Sequence, residues 1–475
     1  MNNICDIHTY YKPIDMNIFL NKLTIGTLLL LGIKTAALAQ TGKPVEVQVT
    51  PYKTTIIANG KDEAVVVVKI IDRKGNDVPV KKQVTYKLTG DASIISINGN
   101  TNVAALKTSD TTWVTTLDGS AKLILRAGKT LQHIKFAATA DSLWEGSTDI
   151  LTVQPGKPHK VTNAKYTPKT TIDKILGADI SFLPELEARG IKFSDNGVEK
   201  DAIAILKEHG INYIRLRVFN DPAQPKGYSP NKGFCDVEHT KQMAKRAKDA
   251  GLKVLLDFHY SDYWADPGKQ FKPKAWEGQD FTALKKSVYD FTVNTLQQLK
   301  AQGTPPDMVQ VGNEINHGIV WPEGSIANLD SLASLLYEGV KGVHAVDPKT
   351  LVMLHVALGG QKLESDFFYE AMQARNVPYD IIGLSYYPKW HGTLPDLTDN
   401  IAYLAKKYNR QIMVAEYTFL KKEVNDIAFN VPGGKGIGSF IWEPLNTWEM
   451  VFSRDGKSNE LLDVYPEIAK KYVTK

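Results

Sequence analysis

Between residues 175 and 442 the chain repeats one pattern eight times, a short apolar run of strand length followed by a longer polar or amphipathic stretch. The runs are 175–180, 213–218, 253–258, 308–311, 351–355, 381–385, 411–414 and 437–442, and helical periodicity marks 198–209, 236–250, 281–301, 331–346 and 397–408 between them. Gly210 and Gly251 stand where they would cap the helices before them. Strands alternating with helices predict a parallel sheet, and eight units over roughly 300 residues predict a (β/α)8 barrel. A doubly wound sheet also alternates, but it normally carries a glycine-rich phosphate loop after its first strand, and Gly177-Ala178-Asp179 is not one.

The preceding segment has another texture. From about residue 45 to 153 it is rich in Thr, Val and Ile with period-two alternation, as in Ala64-Val65-Val66-Val67-Val68-Lys69-Ile70-Ile71 and Ala121-Lys122-Leu123-Ile124-Leu125-Arg126. Turn signals at Asn59-Gly60, Gly75-Asn76 and Asn98-Gly99 punctuate it, which predicts a β-sandwich. The segment resembles the bacterial immunoglobulin-like modules found beside carbohydrate-active enzymes. Such a module is either a spacer or a polysaccharide binder using Trp113 or Trp144. The expected organisation is a leader over 1–39, the sandwich over 40–155, a linker over 156–170 and the barrel over 171–475.

The leader expectation rests on a Lys22 flank, an apolar middle over 23–33 and Ala37-Leu38-Ala39 before Gln40, the pattern of a signal peptide. Met16 is an alternative start. The apolar middle is too short to span a bilayer, so a secreted, periplasmic or cell-surface protein with no membrane span after cleavage is expected. Of the two cysteines Cys5 falls in the leader, so Cys235 has no partner for a disulfide. The formal net charge of +5 is scattered, with no arginine-rich stripe for nucleic acid, and no zinc-ligand spacing or Walker loop appears.

Barrels of this kind place catalytic groups at the C-terminal ends of their strands. Those ends carry Asp179, Arg215 with Arg217, Asp257 with His259, Asn313 with Glu314, His355, Tyr386, Glu416, and Trp442 with Glu443. Two glutamates ending different strands can flank a sugar, the arrangement that glycoside hydrolysis requires. Arg215 and Arg217 are two apart and so leave one face of their strand. Pairing either with Glu416 would hold that carboxylate ionised and lower its pKa, as suits a nucleophile, while Glu314 would keep a proton for the leaving oxygen. Asn313 could hydrogen-bond a sugar 2-hydroxyl. His259 and His355 are either sugar contacts or hydrogen-bonded structural residues, and Trp264 and Trp448 either stack on sugars or fill gaps between loops.

Several long motifs narrow these readings: Gly177-Ala178-Asp179-Ile180-Ser181, Arg215-Leu216-Arg217-Val218-Phe219-Asn220-Asp221-Pro222, Leu256-Asp257-Phe258-His259-Tyr260-Ser261-Asp262-Tyr263-Trp264-Ala265-Asp266-Pro267-Gly268, Gly312-Asn313-Glu314-Ile315-Asn316, Ser385-Tyr386-Tyr387-Pro388 and Trp442-Glu443-Pro444. Together they resemble glycoside hydrolase family 53, the endo-β-1,4-galactanases that cut type I arabinogalactan and pectin galactan with retention. The resemblance implies Glu314 as acid/base, Glu416 as nucleophile, and Trp264, Asp266, Trp442 and Glu443 as lining for the galactose subsites. It further implies a galactan partner; a monomer without a cofactor is expected. Some bacterial members bind calcium after the seventh strand; here only 21 residues separate Glu416 from Gly438, and Lys421-Lys422-Glu423-Val424-Asn425-Asp426 offers few carboxylates. No metal ligand is therefore expected. The alternatives are a retaining xylanase, mannanase or β-glucanase on the same two glutamates, or a catalytically silent polysaccharide-binding protein.

Overall fold

The computed structural model describes residues 42–473 apart from 74, 102–109, 155–160 and 163. The leader, and much of the expected linker, lie outside the described residues.

The N-terminal segment forms nine strands: β1 (Glu46–Pro51), β2 (Thr55–Ile57), β3 (Glu63–Ile71), β4 (Lys81–Thr89), β5 (Ala92–Ile97), β6 (Thr111–Asp118), β7 (Ser120–Ala127), β8 (His133–Thr139) and β9 (Gly146–Val153). They make one sheet in the order β1-β3-β7-β5 and a second in the order β2-β9-β8-β4-β6. The alternation seen in the sequence decides which side chains meet. Ala64, Val66, Val68 and Ile70 of β3 point inward and share a core with Val84, Tyr86 and Leu88 of β4. Trp113 belongs to this core, stacked on Tyr86 at 5.3 Å, whereas Trp144 is 49% exposed.

The second part is a closed barrel of eight parallel strands: Ile175–Asp179, Tyr213–Val218, Lys253–Phe258, Met308–Val311, Leu351–Val356, Ile381–Tyr386, Gln411–Tyr417 and Gly436–Trp442. Each strand is buried on both faces, and period two sorts its residues between two cores. Ile214, Leu216 and Val218 face the surrounding helices, while Tyr213 shares the barrel interior with Ile175, Leu255, Met308, Met353, Ile381, Met413 and Phe440. Gly177 is required at its position, because a Cβ there would stand 2.2 Å from the Phe440 ring. These apolar residues fill the lower barrel and leave the polar ones at the C-terminal end.

One local reading changes. The helix expected over 198–209 is Ala202–Glu208, because Asn196-Gly197 turns a two-residue hairpin of Ser194–Asp195 with Val198–Glu199, and the Asp201 carboxylate then caps the helix by accepting from the Ile203 N–H. After the seventh strand the chain makes a nine-residue helix, Lys421–Phe429, before the 3₁₀ turn Pro432–Gly434. Among the described residues, no helix is long and apolar enough to cross a membrane.

Candidate active site

Arg215 organises the floor of the barrel mouth. Its Nη1 donates to Asp179 Oδ2 at 2.8 Å and lies 2.8 Å from Glu416 Oε1; its Nη2 donates to Asp257 Oδ2 at 2.9 Å and Asn313 Oδ1 at 2.8 Å; its Nε donates to Gln310 Oε1 at 3.2 Å. All five guanidinium N–H groups thus have acceptors, as a charge 1% exposed requires. Arg217, on the same face of its strand, pairs with Glu443 instead. Its guanidinium carbon stands 4.3 Å from the Trp264 ring centroid and 4.6 Å from that of Phe182, a cation held between aromatic faces. Arg215 and not Arg217 is therefore the partner of Glu416.

Strict alternation along the seventh strand would send Glu416 outward, because Met413 and Ala415 already face the barrel interior. The register shifts between Val414 and Tyr417 against the eighth strand, and on the sixth strand Leu384 aligns with Val414 but Ser385 with Glu416. This bulge places one extra residue in the strand and turns Glu416 into the site. There it is 5% exposed, with Tyr387 donating to its Oε2 at 3.1 Å.

Glu314 arrives differently. The fourth strand ends at Val311, Gly312 and Glu314 both take left-handed backbone, and the carboxylate reaches the Ser385 hydroxyl, which donates to it at 2.6 Å. Glu314 is half-buried. Burial and the nearby Glu416 charge hold its pKa well above the ordinary value, with Ser385 offsetting in part.

The expected depression of the Glu416 pKa is not found. Burial raises it to about 7, and Arg215 and Tyr387 offset this only in part, because Asp179 and Asp257 crowd the same arginine. The ordering between the two glutamates still holds. Glu416 has Arg215 and a phenol in direct contact stabilising its anion, whereas Glu314 has a serine hydroxyl and only a lesser pull from Arg215, so Glu416 is the first of the pair to ionise.

Around them is a dense polar shell. Asn313 Oδ1 also accepts from Gln310 at 3.0 Å and lies 3.0 Å from His355 Nδ1, and its Nδ2 donates to Ala265 O at 3.0 Å. His355 Nε2 is 2.8 Å from Ser385 Oγ, and burial beside Arg215 keeps this ring neutral, its pKa well below the ordinary value. His259 lies 3.1 Å from Asp257 through Nε2 and accepts from the Ala265 N–H at Nδ1, so it supports the floor through its neighbours. Burial would raise Asp257, but Arg215 and His259 bring it below its ordinary value. Glu443 is fully buried; burial lifts its pKa well above normal despite Arg217, and it also accepts from the Phe182 N–H at 3.0 Å. Asp266 sits at the rim in an ion pair with Lys269.

An aromatic wall rises beside the carboxylates. Ring centroids are 6.1 Å apart for Trp264 and Trp442, 5.7 Å for Trp442 and Trp448, and 5.8 Å for Trp390 and Trp448. Trp448 is 48% and Trp390 39% exposed, so both offer ring surface to solvent.

One named residue lies elsewhere. Tyr386 faces the helices, donating to Gly392 O at 3.0 Å, because inward positions on the sixth strand are Ile381, Gly383 and Ser385. Its neighbour Tyr387 and the inward Ser385 are the residues that touch the carboxylates, and strand parity alone would have identified Ser385.

Asp426 Oδ1 is engaged by Lys471 at 2.9 Å and by the Tyr472 hydroxyl at 2.6 Å, and among the described residues no group of three or more His, Cys, Asp or Glu could hold a metal ion.

Comparison with known proteins agrees with this architecture. Residues 47–149 match the glycoside hydrolase family 2 C-terminal domain 5. The chain is 35% identical over 298 residues to the endo-beta-1,4-galactanase of Bacillus subtilis, covering 62% of this chain and 67% of the relative. It is 38% identical over 273 residues to the arabinogalactan endo-beta-1,4-galactanase of Cellvibrio japonicus, covering 55% of this chain and 70% of the relative. The structure of the Ignisphaera aggregans GH53 catalytic domain superposes with a TM-score of 0.59 at 33% identity, over 66% of this chain and 99% of that one. Residues 175–428, which supply both glutamates and the whole arginine-centred floor, match the glycosyl hydrolase family 53, and the chain belongs to that family of glycoside hydrolases.

Proposed function

We propose that this chain is a secreted endo-β-1,4-galactanase that cuts the galactan of type I arabinogalactan and pectin with retention of configuration. The observation that carries the mechanism is the unequal setting of two neighbouring carboxylates. Glu314, lacking a cation of its own, keeps a proton and delivers it to the glycosidic oxygen. Glu416, fixed by Arg215 and Tyr387, attacks the anomeric carbon and forms a glycosyl-enzyme. Glu314, now ionised, takes a proton from the water that releases the sugar. Ser385 donates to Glu314 at 2.6 Å and so stabilises that residue once it is ionised, and His355 lies 2.8 Å from the same hydroxyl.

Two carboxylates and water suffice for this chemistry, with no cofactor. Galactan as substrate is supported by the galactanase activity for which the Bacillus subtilis and Cellvibrio japonicus relatives are named and by the aromatic wall, whose exposed rings suit the apolar faces of sugars. Export is supported by the charged start, apolar middle and small-residue end of the first 39 residues, and a monomer is the simplest working form.

Reducing-sugar release from potato galactan, set beside xylan, mannan and β-glucan, tests the assignment. Release from galactan alone is expected. Preferential cleavage of another polymer would reassign the substrate, and binding without cleavage would make the chain a polysaccharide-binding protein.

A further inference from the structure

The immunoglobulin-like module meets the barrel on its βα loops, at two buried points beside the catalytic pair. At the first, just before β2, the Thr54 N–H donates to Glu364 Oε2 at 2.7 Å and its hydroxyl lies 3.1 Å from His317 Nε2. Glu364 opens the helix Lys362–Ala374 and is 1% exposed. His317 Nε2 is 3.5 Å from Glu364 Oε1 and its Nδ1 is 2.8 Å from Pro267 O, so acceptors face both ring nitrogens. Burial opposes a charge on this ring, but Glu364 and the Pro267 carbonyl raise its pKa above the ordinary value. Asn316 ties into the same carboxylate at 3.3 Å.

This cluster closes the turn that carries Glu314. The 3₁₀ turn Ile315–His317 starts directly after Glu314, whose φ of 48° is left-handed. Such backbone in a non-glycine residue is strained and persists only where its surroundings fix it. His317 is the anchor three residues along.

The second point lies on β1. Gln48, 1% exposed, donates from Nε2 to Pro388 O at 2.6 Å, and Glu46 of the same strand faces Lys389. Pro388 follows Tyr387, the phenol that donates to Glu416. Each catalytic glutamate is thus one short loop from a polar contact made by the module.

We propose that the module is a built-in wall of the active site, in which Thr54, through Glu364 and His317, and Gln48, through Pro388, are positioning residues for Glu314 and Tyr387. This rests on Glu314 and Glu416 being the catalytic pair. A spacer does not require a buried charged cluster at its edge. A sugar-binding appendage would raise local substrate concentration without touching the loops that set the geometry of catalysis.

The test uses the full chain with Thr54→Val, Thr54→Ser, His317→Gln and Gln48→Ala, measuring kcat and KM on galactan, the pH profile and the melting temperature. Thr54→Val, His317→Gln and Gln48→Ala are each expected to lower kcat about tenfold, since small misplacements of catalytic groups are costly, with KM changed less than twofold. Thr54→Ser restores the hydroxyl and should restore kcat. In Thr54→Val and His317→Gln the alkaline limb should move to lower pH, because burial is the main cause of the raised Glu314 pKa and a loosened turn admits water. The double variant Thr54→Val/His317→Gln should be no worse than His317→Gln alone, as expected for one shared path.

A lowered melting temperature with kcat and pH profile unchanged would make the module a stabiliser only and overturn the proposal. A raised KM with unchanged kcat would make it a sugar-binding element and do the same. Should His317→Gln fail to fold, Thr54→Val and Gln48→Ala decide the matter. Glu314→Gln serves as the control: full activity there would sink the catalytic assignment and the proposal with it, whereas an inactive Glu314→Gln beside a fully active Thr54→Val sinks the proposal alone.

Discussion

Arg215 Nη1 stands 2.8 Å from Glu416 Oε1 while the other N–H groups of the same guanidinium hold Asp179, Asp257, Asn313 and Gln310. One cation therefore sets both the charge of Glu416, the proposed nucleophile, and the position of Asn313 beside Glu314, the proposed acid.

Replacing Arg215 by Lys keeps a charge but loses the planar fork that serves several acceptors at once. We expect kcat/KM to fall by about a hundredfold or more. Arg215 lowers the Glu416 pKa against burial, so weakening that contact raises it, and the acid limb of the pH–rate profile should move to higher pH. An unmoved acid limb would show that Glu416 is not the group titrating there.

Glu416→Ala should lose at least about a thousandfold in kcat, and azide should restore cleavage of an aryl galactoside with an activated leaving group by occupying the vacated side of the anomeric carbon. Proton NMR of the first product anomer in the wild type should show retention. An inverted product would remove Glu416 from the nucleophile's role.

Glu314→Gln should abolish turnover of galactan and raise the melting temperature, increasingly so at alkaline pH. The sign follows from the raised folded-state pKa: the stability associated with protonated Glu314 is fully present below its unfolded pKa and is lost as pH rises through the folded value. Glutamine has no proton to lose. A melting-temperature difference independent of pH would contradict this reading.

Tyr387→Phe and Tyr386→Phe separate two adjacent phenols. The first removes a donor to Glu416 and should lower kcat with little change in stability. The second removes a buried bond to Gly392 O and should cost about 1 kcal/mol in denaturant unfolding with kcat unchanged. The reverse pattern would exchange their roles.

Calcium added to chelator-treated protein should leave the melting temperature unchanged, because Asp426 is already held by Lys471 and Tyr472. A rise that saturates with calcium would reveal a site elsewhere.

Periodicity made the two-part architecture legible. Eight apolar runs spaced by helical stretches leave few alternatives to a barrel, and period two along 63–71 leaves few to a sandwich. Period two also placed Arg215 and Arg217 on one face, and the apolar runs located both glutamates near strand ends. That alternation could equally have rejected Tyr386, which shares parity with the outward Ile382 and Leu384.

What the sequence determined by itself was the set of local preferences: which runs form strands, where turns fall, and which polar groups end each strand. The tertiary structure decided the rest, because those decisions depend on neighbours distant in the chain. Glu416 faces the site only because a bulge against the sixth and eighth strands adds a residue before it. Arg215 rather than Arg217 takes that carboxylate, since Phe182, Trp264 and Glu443 surround the other arginine. The net pKa of Glu416 rises because burial outweighs an ion pair that, read from sequence alone, could only lower it.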